Sequence, residues 1–339
     1  MEINLVSDTV TKPTQGMLEA IAVAKVGDDV YGEDPTVIEL QEKAAKLFGK
    51  EVGLFCASGT MTNQIAIKCF TNPLEEVICD EGAHVYYYEG GGIAFNSAAS
   101  VRTLPGNRGV FTSKQVRDNI NKNDIHHPST SLVVIENTVN RGGGHSWELG
   151  QIEEISKVCK ENSLKLHLDG ARIFNAMVSQ GYSASEIGQN FDGISICLSK
   201  GLGTPVGSVL LGSKEFIHQA KRVRKVMGGG WRQAGYLAAA GIYALDHHVE
   251  RLAEDHRRAK LFEEALKQHQ LVKEVLPVET NIVIFELVDK ISETEFISKL
   301  KEQGILCASP GKQRVRFVTH LDFTDEMLAR SLEILKKTK

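Results

Sequence analysis

Apolar residues recur along this chain in two alternating patterns. From Thr36 onward, helix-spaced apolar positions give way to short continuous apolar runs, each bounded by turn or helix signals. Val37, Leu40, Ala44, Leu47 and Phe48 share one helical face, and that helix stops at Gly49. Apolar runs at 52–55, 77–79, 132–135, 164–168, 193–198 and 208–211 read as buried strands. A helix at 151–161, with Ile152, Ile155 and Val158 on one face, separates two of them. Strands alternating with helices predict an α/β fold, a mainly parallel sheet covered on both faces. Ligands of such sheets bind beyond the carboxyl ends of the strands, so the residues that finish each run are the ones to inspect.

The texture changes after Gly235. A charge-rich helical tract is expected over 236–269, followed by a strand at 281–287, a helix at 293–303 and a strand at 315–318. The last helix, 324–337, has Thr324 as its N-cap. These elements describe a small α+β unit, and the expected division is a large domain at 1–250 and a small one at 251–339. The length of 339 residues fits two cores better than one.

Charge narrows the class of partner. With 39 basic and 43 acidic residues the net charge is −4, and no excess attracts nucleic acid or an anionic membrane. No apolar stretch approaches the ~18–20 residues that span a bilayer, and the first residues do not form a signal peptide. The six cysteines are scattered singly, as reduced thiols of a cytoplasmic protein are. The adjacent pairs His126-His127 and His247-His248 lack chelating spacing, so no metal is expected. Glycine, at 31 residues, modestly exceeds its usual ~7% share.

Candidate chemistry sits at the strand ends. The run at 164–168 leads into Asp169-Gly170-Ala171-Arg172, and the run at 193–198 leads into Ser199-Lys200-Gly201. An acid and a lysine at the ends of separate strands converge in one crevice. Lys200 there is placed for Schiff-base chemistry, and Asp169 suits a pyridinium N–H, which together are the signature of a pyridoxal phosphate (PLP) site. The turn Cys56-Ala57-Ser58-Gly59-Thr60 joins a strand to a helix start and offers N–H groups and hydroxyls to a phosphate. Gly201-Leu202-Gly203-Thr204-Pro205-Val206-Gly207 has neither the spacing nor the following helix of a dinucleotide site.

Four strings carry a family resemblance. They are Ser7-Asp8-Thr9-Val10-Thr11-Lys12-Pro13, Val26-Gly27-Asp28-Asp29-Val30-Tyr31-Gly32-Glu33-Asp34-Pro35-Thr36, Leu168-Asp169-Gly170-Ala171-Arg172-Ile173-Phe174 and the segment from Leu198 to Gly207. In this order they resemble the low-specificity L-threonine aldolases, over nearly the whole chain. The resemblance implies the aspartate-aminotransferase-like PLP fold type I and a homotetramer built as a dimer of dimers. It also implies retro-aldol cleavage of L-threonine, L-allo-threonine and related β-hydroxy-α-amino acids to glycine and an aldehyde.

By resemblance, Lys200 attaches the cofactor, Asp169 pairs with its ring nitrogen, and His84 stacks on its ring. Arg172 contacts its phenolic oxygen; Ser58, Gly59 and Thr60 hold its phosphate, with Ser199 beside Lys200. Arg232 reaches the phosphate from the neighbouring subunit. Ser7, Arg172 and Arg316 bind the substrate carboxylate, with Arg314 a rival two residues from Arg316. Tyr88 lies near the cofactor, and His126 near the substrate hydroxyl. Either His84 or His126, directly or through water, is the base. A PLP-dependent β-lyase or serine-cleaving enzyme on the same scaffold is the main alternative; a catalytically silent relative is the other.

Overall fold

The apolar run at 164–168 folds as a strand, and so do the other five. In the computed structural model, which describes residues 2–338, the strands in chain order are β1 (Ile3–Asn4), β2 (Val52–Cys56), β3 (Glu75–Asp80), β4 (Ser100–Leu104), β5 (Ser129–Glu136), β6 (Lys165–Gly170), β7 (Gly193–Cys197), β8 (Ser208–Gly212), β9 (Val272–Val275), β10 (Ile282–Leu287), β11 (Ile305–Leu306), β12 (Ala308–Gly311) and β13 (Arg314–Val318). Seven of them form the central sheet in the order β2-β8-β7-β6-β5-β3-β4. All run parallel except β8, which lies antiparallel between β2 and β7.

Alternation along β5 shows why both faces are covered. Val133 and Ile135 join a core that includes Ile152 and Ile155 of the helix Leu149–Glu161. Leu132 and Val134 point the other way, into a core containing Ile67 of the helix Gly59–Phe70. The edge strand β4 lies outside the expected set, because Ser100, Val101, Arg102 and Thr103 offer no continuous apolar run.

A second core gathers Phe262, Phe285, Phe296 and Phe317, whose neighbouring rings lie 5.2–5.8 Å apart, around the antiparallel sheet β12-β13-β10-β9. Thr324 caps the last helix, Asp325–Lys337, by accepting the Met327 N–H. The single helical tract expected over 236–269 is instead two helices, Gly235–His247 and Leu252–Lys267. At the break the buried ring of His248 donates through Nδ1 to Leu202 O at 2.8 Å, so the chain turns to brace the loop that follows β7.

The N-terminal residues pack with the C-terminal core. β1 pairs in parallel with β11, and Ile3 and Leu5 are fully buried among its phenylalanines. Glu279 makes another tie across the molecule. Its carboxylate accepts from Arg108 Nη1 at 2.7 Å, His145 Nδ1 at 2.8 Å and the Ser146 N–H at 3.1 Å. Burial opposes its charge, but the bonds from His145 and Ser146 and the Arg108 charge pull its pKa down to about 2.

A depressed carboxyl pKa contributes stability above the unfolded-state value, and that contribution disappears as pH falls from 4.5 toward 2. Glu279→Gln is therefore expected to cost about 1–3 kcal/mol at pH 7 in urea unfolding. The gap to the unsubstituted protein should narrow as pH falls through that window. Equal stability of the two proteins at pH 7 would show that Glu279 does not hold these loops.

Candidate active site

β6 delivers the acid. Its alternation sends His167 and Asp169 to the face opposite Leu166 and Leu168. Asp169 is 1% exposed; its Oδ1 accepts the Ala171 N–H at 3.2 Å, whereas Oδ2 is buried with no partner among the described residues. An ionised oxygen left unpaired in the interior is costly, so Oδ2 is an acceptor awaiting a donor from a ligand. His167, fully buried beneath it, donates through Nδ1 to Gly193 O at 3.0 Å, and burial lowers its pKa to about 4.

β7, paired in parallel beside β6, supplies Ser199 and Lys200, both half-buried. The turn after them closes with the Gly203 N–H donating to Lys200 O at 2.8 Å. Gly203 has φ of 78°, and a Cβ there would stand 2.6 Å from Leu321. Glycine is required at this position on both counts.

β2 leads into the helix Gly59–Phe70, whose first-turn N–H groups and positive dipole end make a cradle suited to an anion. Ser58 Oγ accepts the Met61 N–H at 3.2 Å and so caps the helix. Thr60 is exposed in the first turn. The space a Cβ would fill at Gly59 is open, its nearest neighbour being Ser208 Oγ at 3.7 Å. That hydroxyl is itself buried without a partner. Ser208, the first residue of β8, was not among the expected site residues, and its place at the head of an apolar run was the one available signal.

His84 begins the short helix His84–Tyr87, with its N–H donated to Glu136 Oε2 at 2.8 Å. Its Nδ1–H donates to Glu89 Oε1 at 2.9 Å, and the Tyr88 ring lies 5.7 Å away. The buried Glu89 also accepts from Asn63 at 3.0 Å and Gln64 at 2.6 Å, both on the cradle helix. Ligating atoms of His84, Glu89 and Asp169 lie within 4.8 Å of one another. Glu89 and His84 Nδ1 are already engaged, which leaves Asp169 Oδ2 as the open member of that set. Burial opposes protonation of His84, but the bond to Glu89 and the Asp169 charge outweigh it and raise its pKa. Burial and the Asp169 charge push Glu136 up to about 7.

The guanidinium groups converge from two cores. Arg172 immediately precedes the helix Ile173–Gln180 and forks onto Asp8, with Nε and Nη2 each 2.7 Å from a carboxylate oxygen. Arg316, from β13, donates to Asn140 Oδ1 and Val6 O at 3.1 Å, and its buried Nε has no partner. Burial, then the Arg172 charge, lowers its pKa, and the Tyr88 phenol also acts on it electrostatically. Arg314 instead stands 49% exposed near Glu286, so Arg316 is the one of the two at the crevice. Ser7 is half-buried, and its Oγ accepts from the Thr9 N–H and hydroxyl.

One expected residue is not brought to the crevice by this chain, and a second is engaged with another partner. His126 lies in the loop before β5, 79% exposed and paired with Asp124. It is at the amino end of a strand whose carboxyl end carries Glu136, about 25 Å away by strand rise. Arg232 is 59% exposed and bound to Asp28.

Residues 4–290 match the family model described as beta-eliminating lyase, the class of α/β protein to which this fold and crevice correspond. Among curated relatives, the low specificity L-threonine aldolase of Escherichia coli K12 is 44% identical over 329 residues, spanning 96% of each chain. A probable low-specificity L-threonine aldolase of Arabidopsis thaliana is 39% identical, over 95% of this chain and 93% of that protein. A Leishmania major threonine aldolase shares the fold, with TM-score 0.86, 22% identity and 99% of each chain covered. The chain belongs to the low-specificity L-threonine aldolases of the beta-eliminating lyase family.

The unpartnered Oδ2 makes a prediction that does not depend on turnover. Without cofactor, Asp169→Asn loses no hydrogen bond at Oδ2 and sheds a buried unpaired charge. Its Tm is expected to equal or exceed that of the unsubstituted protein in the same state. A fall of more than about 3 °C would reveal a protein partner for Oδ2.

Proposed function

We propose that this chain binds pyridoxal 5'-phosphate and cleaves L-threonine, L-allo-threonine and related β-hydroxy-α-amino acids to glycine and an aldehyde. The observation that carries this reading is the buried, open Oδ2 of Asp169 beside the strand end that bears Lys200. The cradle of Gly59 and Ser208 supports it, since both the space and the unpaired hydroxyl suit a phosphate.

When bound, the cofactor supplies an electron-withdrawing ring that takes up the electron pair freed as a bond at Cα breaks. Lys200 would hold the cofactor through its side-chain amine. Asp169 Oδ2 would accept a hydrogen bond from the ring nitrogen and hold a proton there. Thr60 and Ser208 add hydroxyls to the N–H groups of the cradle, Ser58 shapes the turn by capping it, and Ser199 sets the approach to Lys200. Arg316, with Arg172 and Ser7, fixes the substrate carboxylate and so selects Cα–Cβ as the bond that breaks.

His84 is the imidazole this chain places at the crevice, and we assign it the β-hydroxyl proton. Its Nδ1–H is committed to Glu89, which leaves Nε2 as the basic atom. Tyr88 covers that ring on one side. His126 and Arg232 act, on this reading, from a second copy of the chain within a tetramer, because in their own chain His126 lies at the amino end of β5 and Arg232 is exposed and bound to Asp28. A division into a large domain at 1–250 and a small one at 251–339, whose core the N-terminal strap completes, is part of this proposal. So is a cytoplasmic location, for which six free cysteines speak, burial pushing the thiols of Cys56, Cys69, Cys159 and Cys307 up to about 12.

The test is aldehyde release from L-threonine, L-allo-threonine, phenylserine and serine by the cofactor-loaded protein. The two threonines and phenylserine are expected to yield glycine, and Lys200→Ala to yield none. Ammonia and a keto acid in place of glycine would favour the β-lyase alternative instead.

The pH profile tests His84. The groups that face it are Glu89, Asp169, Lys200, Glu136 and Tyr88. Its raised pKa places the acid limb of kcat/KM above the ordinary histidine value of about 6.5. His84→Asn should remove that limb and lower kcat/KM by about 10²–10⁴. An unshifted limb in the variant would mean that another group takes the proton.

A further inference from the structure

Asp8 is fully buried, and no role in the expected chemistry involves it. Its two oxygens take both Nε and Nη2 of Arg172 at 2.7 Å, and Asn281 Nδ2 donates to Oδ2 at 3.2 Å. Burial opposes its charge, yet the Arg172 guanidinium, with help from Lys200 and Asn281, lowers its pKa to about 2. Asp8 therefore remains a carboxylate at any working pH.

The segment around it belongs to the C-terminal core. The Leu5 N–H donates to Leu306 O at 2.7 Å, the Val318 N–H to Leu5 O at 2.9 Å, and the Lys12 N–H to Asp322 Oδ2 at 3.0 Å. His320 Nε2 donates to Asn4 O at 2.7 Å, and Arg316 Nη2 to Val6 O. Asp8 is the point at which this strap grips Arg172, at the end of β6 in the central sheet. One side chain thus fixes Arg172 to the same strap that holds Arg316.

We propose that Asp8 is a positioning residue of the substrate-carboxylate clamp: it occupies one edge of Arg172, leaves Nη1 for the ligand, and sets the spacing between Arg172 and Arg316. A bidentate hold fixes the plane of a guanidinium as well as its position. Two guanidinium groups placed together repel: burial first, and then the Arg172 charge, lowers the pKa of Arg316, and the Asp8 charge acts against both. Substrate then meets a preformed clamp and orders less on binding.

This inference rests on the proposed function, and the experiment separates the two. Glycine and methylamine both attach to the loaded cofactor through an amine, but glycine alone brings a carboxylate. Binding of each is followed by the cofactor's visible absorbance in the loaded protein. Asp8→Asn is expected to raise the glycine Kd at least tenfold and the threonine KM alongside it. The methylamine Kd should stay within twofold. Equal weakening of glycine and methylamine, or an unchanged glycine Kd, would overturn the proposal.

A second comparison does not depend on the single variant folding. Arg172→Gln and the double variant Asp8→Asn/Arg172→Gln should bind glycine equally, because Asp8 acts through Arg172. A further tenfold loss in the double variant contradicts the proposal. Absence of any spectral response to glycine in the unsubstituted protein would sink the proposed function and leave the Asp8–Arg172 geometry untouched.

Discussion

The crevice depends on a carboxylate oxygen with nothing to bind. Asp169 is held at the end of β6 by its own backbone turn through Oδ1, while Oδ2 is sealed from water and left open. Such a group is tolerated in a folded protein where a ligand completes it. Around it the central sheet does what parallel sheets do, directing the ends of β2, β3, β5, β6 and β7 to one edge. Lys200, the cradle at Gly59, His84 and Glu136 all arrive there from different strand ends. Their convergence is a consequence of strand direction, which local sequence does not encode.

The second organising feature is electrostatic. Arg172, Arg316 and Lys200 share a confined space with Asp8 and Asp169, and the effects are visible in both directions: burial and then the Arg172 charge disfavour the charged form of Arg316, and Arg172 favours the charged form of Asp8 against its burial. Burying such charges is favourable only where geometry and hydrogen bonding are good. The 2.7 Å fork between Arg172 and Asp8 meets that condition, and it joins the N-terminal strap, the central sheet and the C-terminal core at one place. Glu89 has a comparable position on the other side, joining His84 to the cradle helix through Asn63 and Gln64.

Much of this was legible in the chain. Six apolar runs announced six of the seven central strands, and Asp169 and Lys200 stood out because each follows such a run directly. β4 was hidden because an edge strand needs no continuous apolar stretch, and the break at His248 because helical charge patterning continues across it. Asp8, Glu89 and Ser208 were hidden for another reason. Asp8 meets Arg172 across 164 positions and Asn281 across 273, and no short motif encodes such a pairing. Arg314 and Arg316 were inseparable by strand alternation alone; burial at Arg316 and exposure at Arg314 divide them. His126 and Arg232 are legible by resemblance, yet in one copy of the chain His126 lies far from the crevice and Arg232 is paired with Asp28.

The most direct measurement is a crystal structure of the protein loaded with pyridoxal phosphate and glycine. The account predicts a ring nitrogen within hydrogen-bond distance of Asp169 Oδ2 and a phosphate at the N-terminus of the Gly59–Phe70 helix, against Ser208 Oγ. The glycine carboxylate should lie between Arg172 Nη1 and Arg316, with the Asp8 fork unbroken. A ring bound elsewhere, with Asp169 Oδ2 still unpartnered, would contradict it.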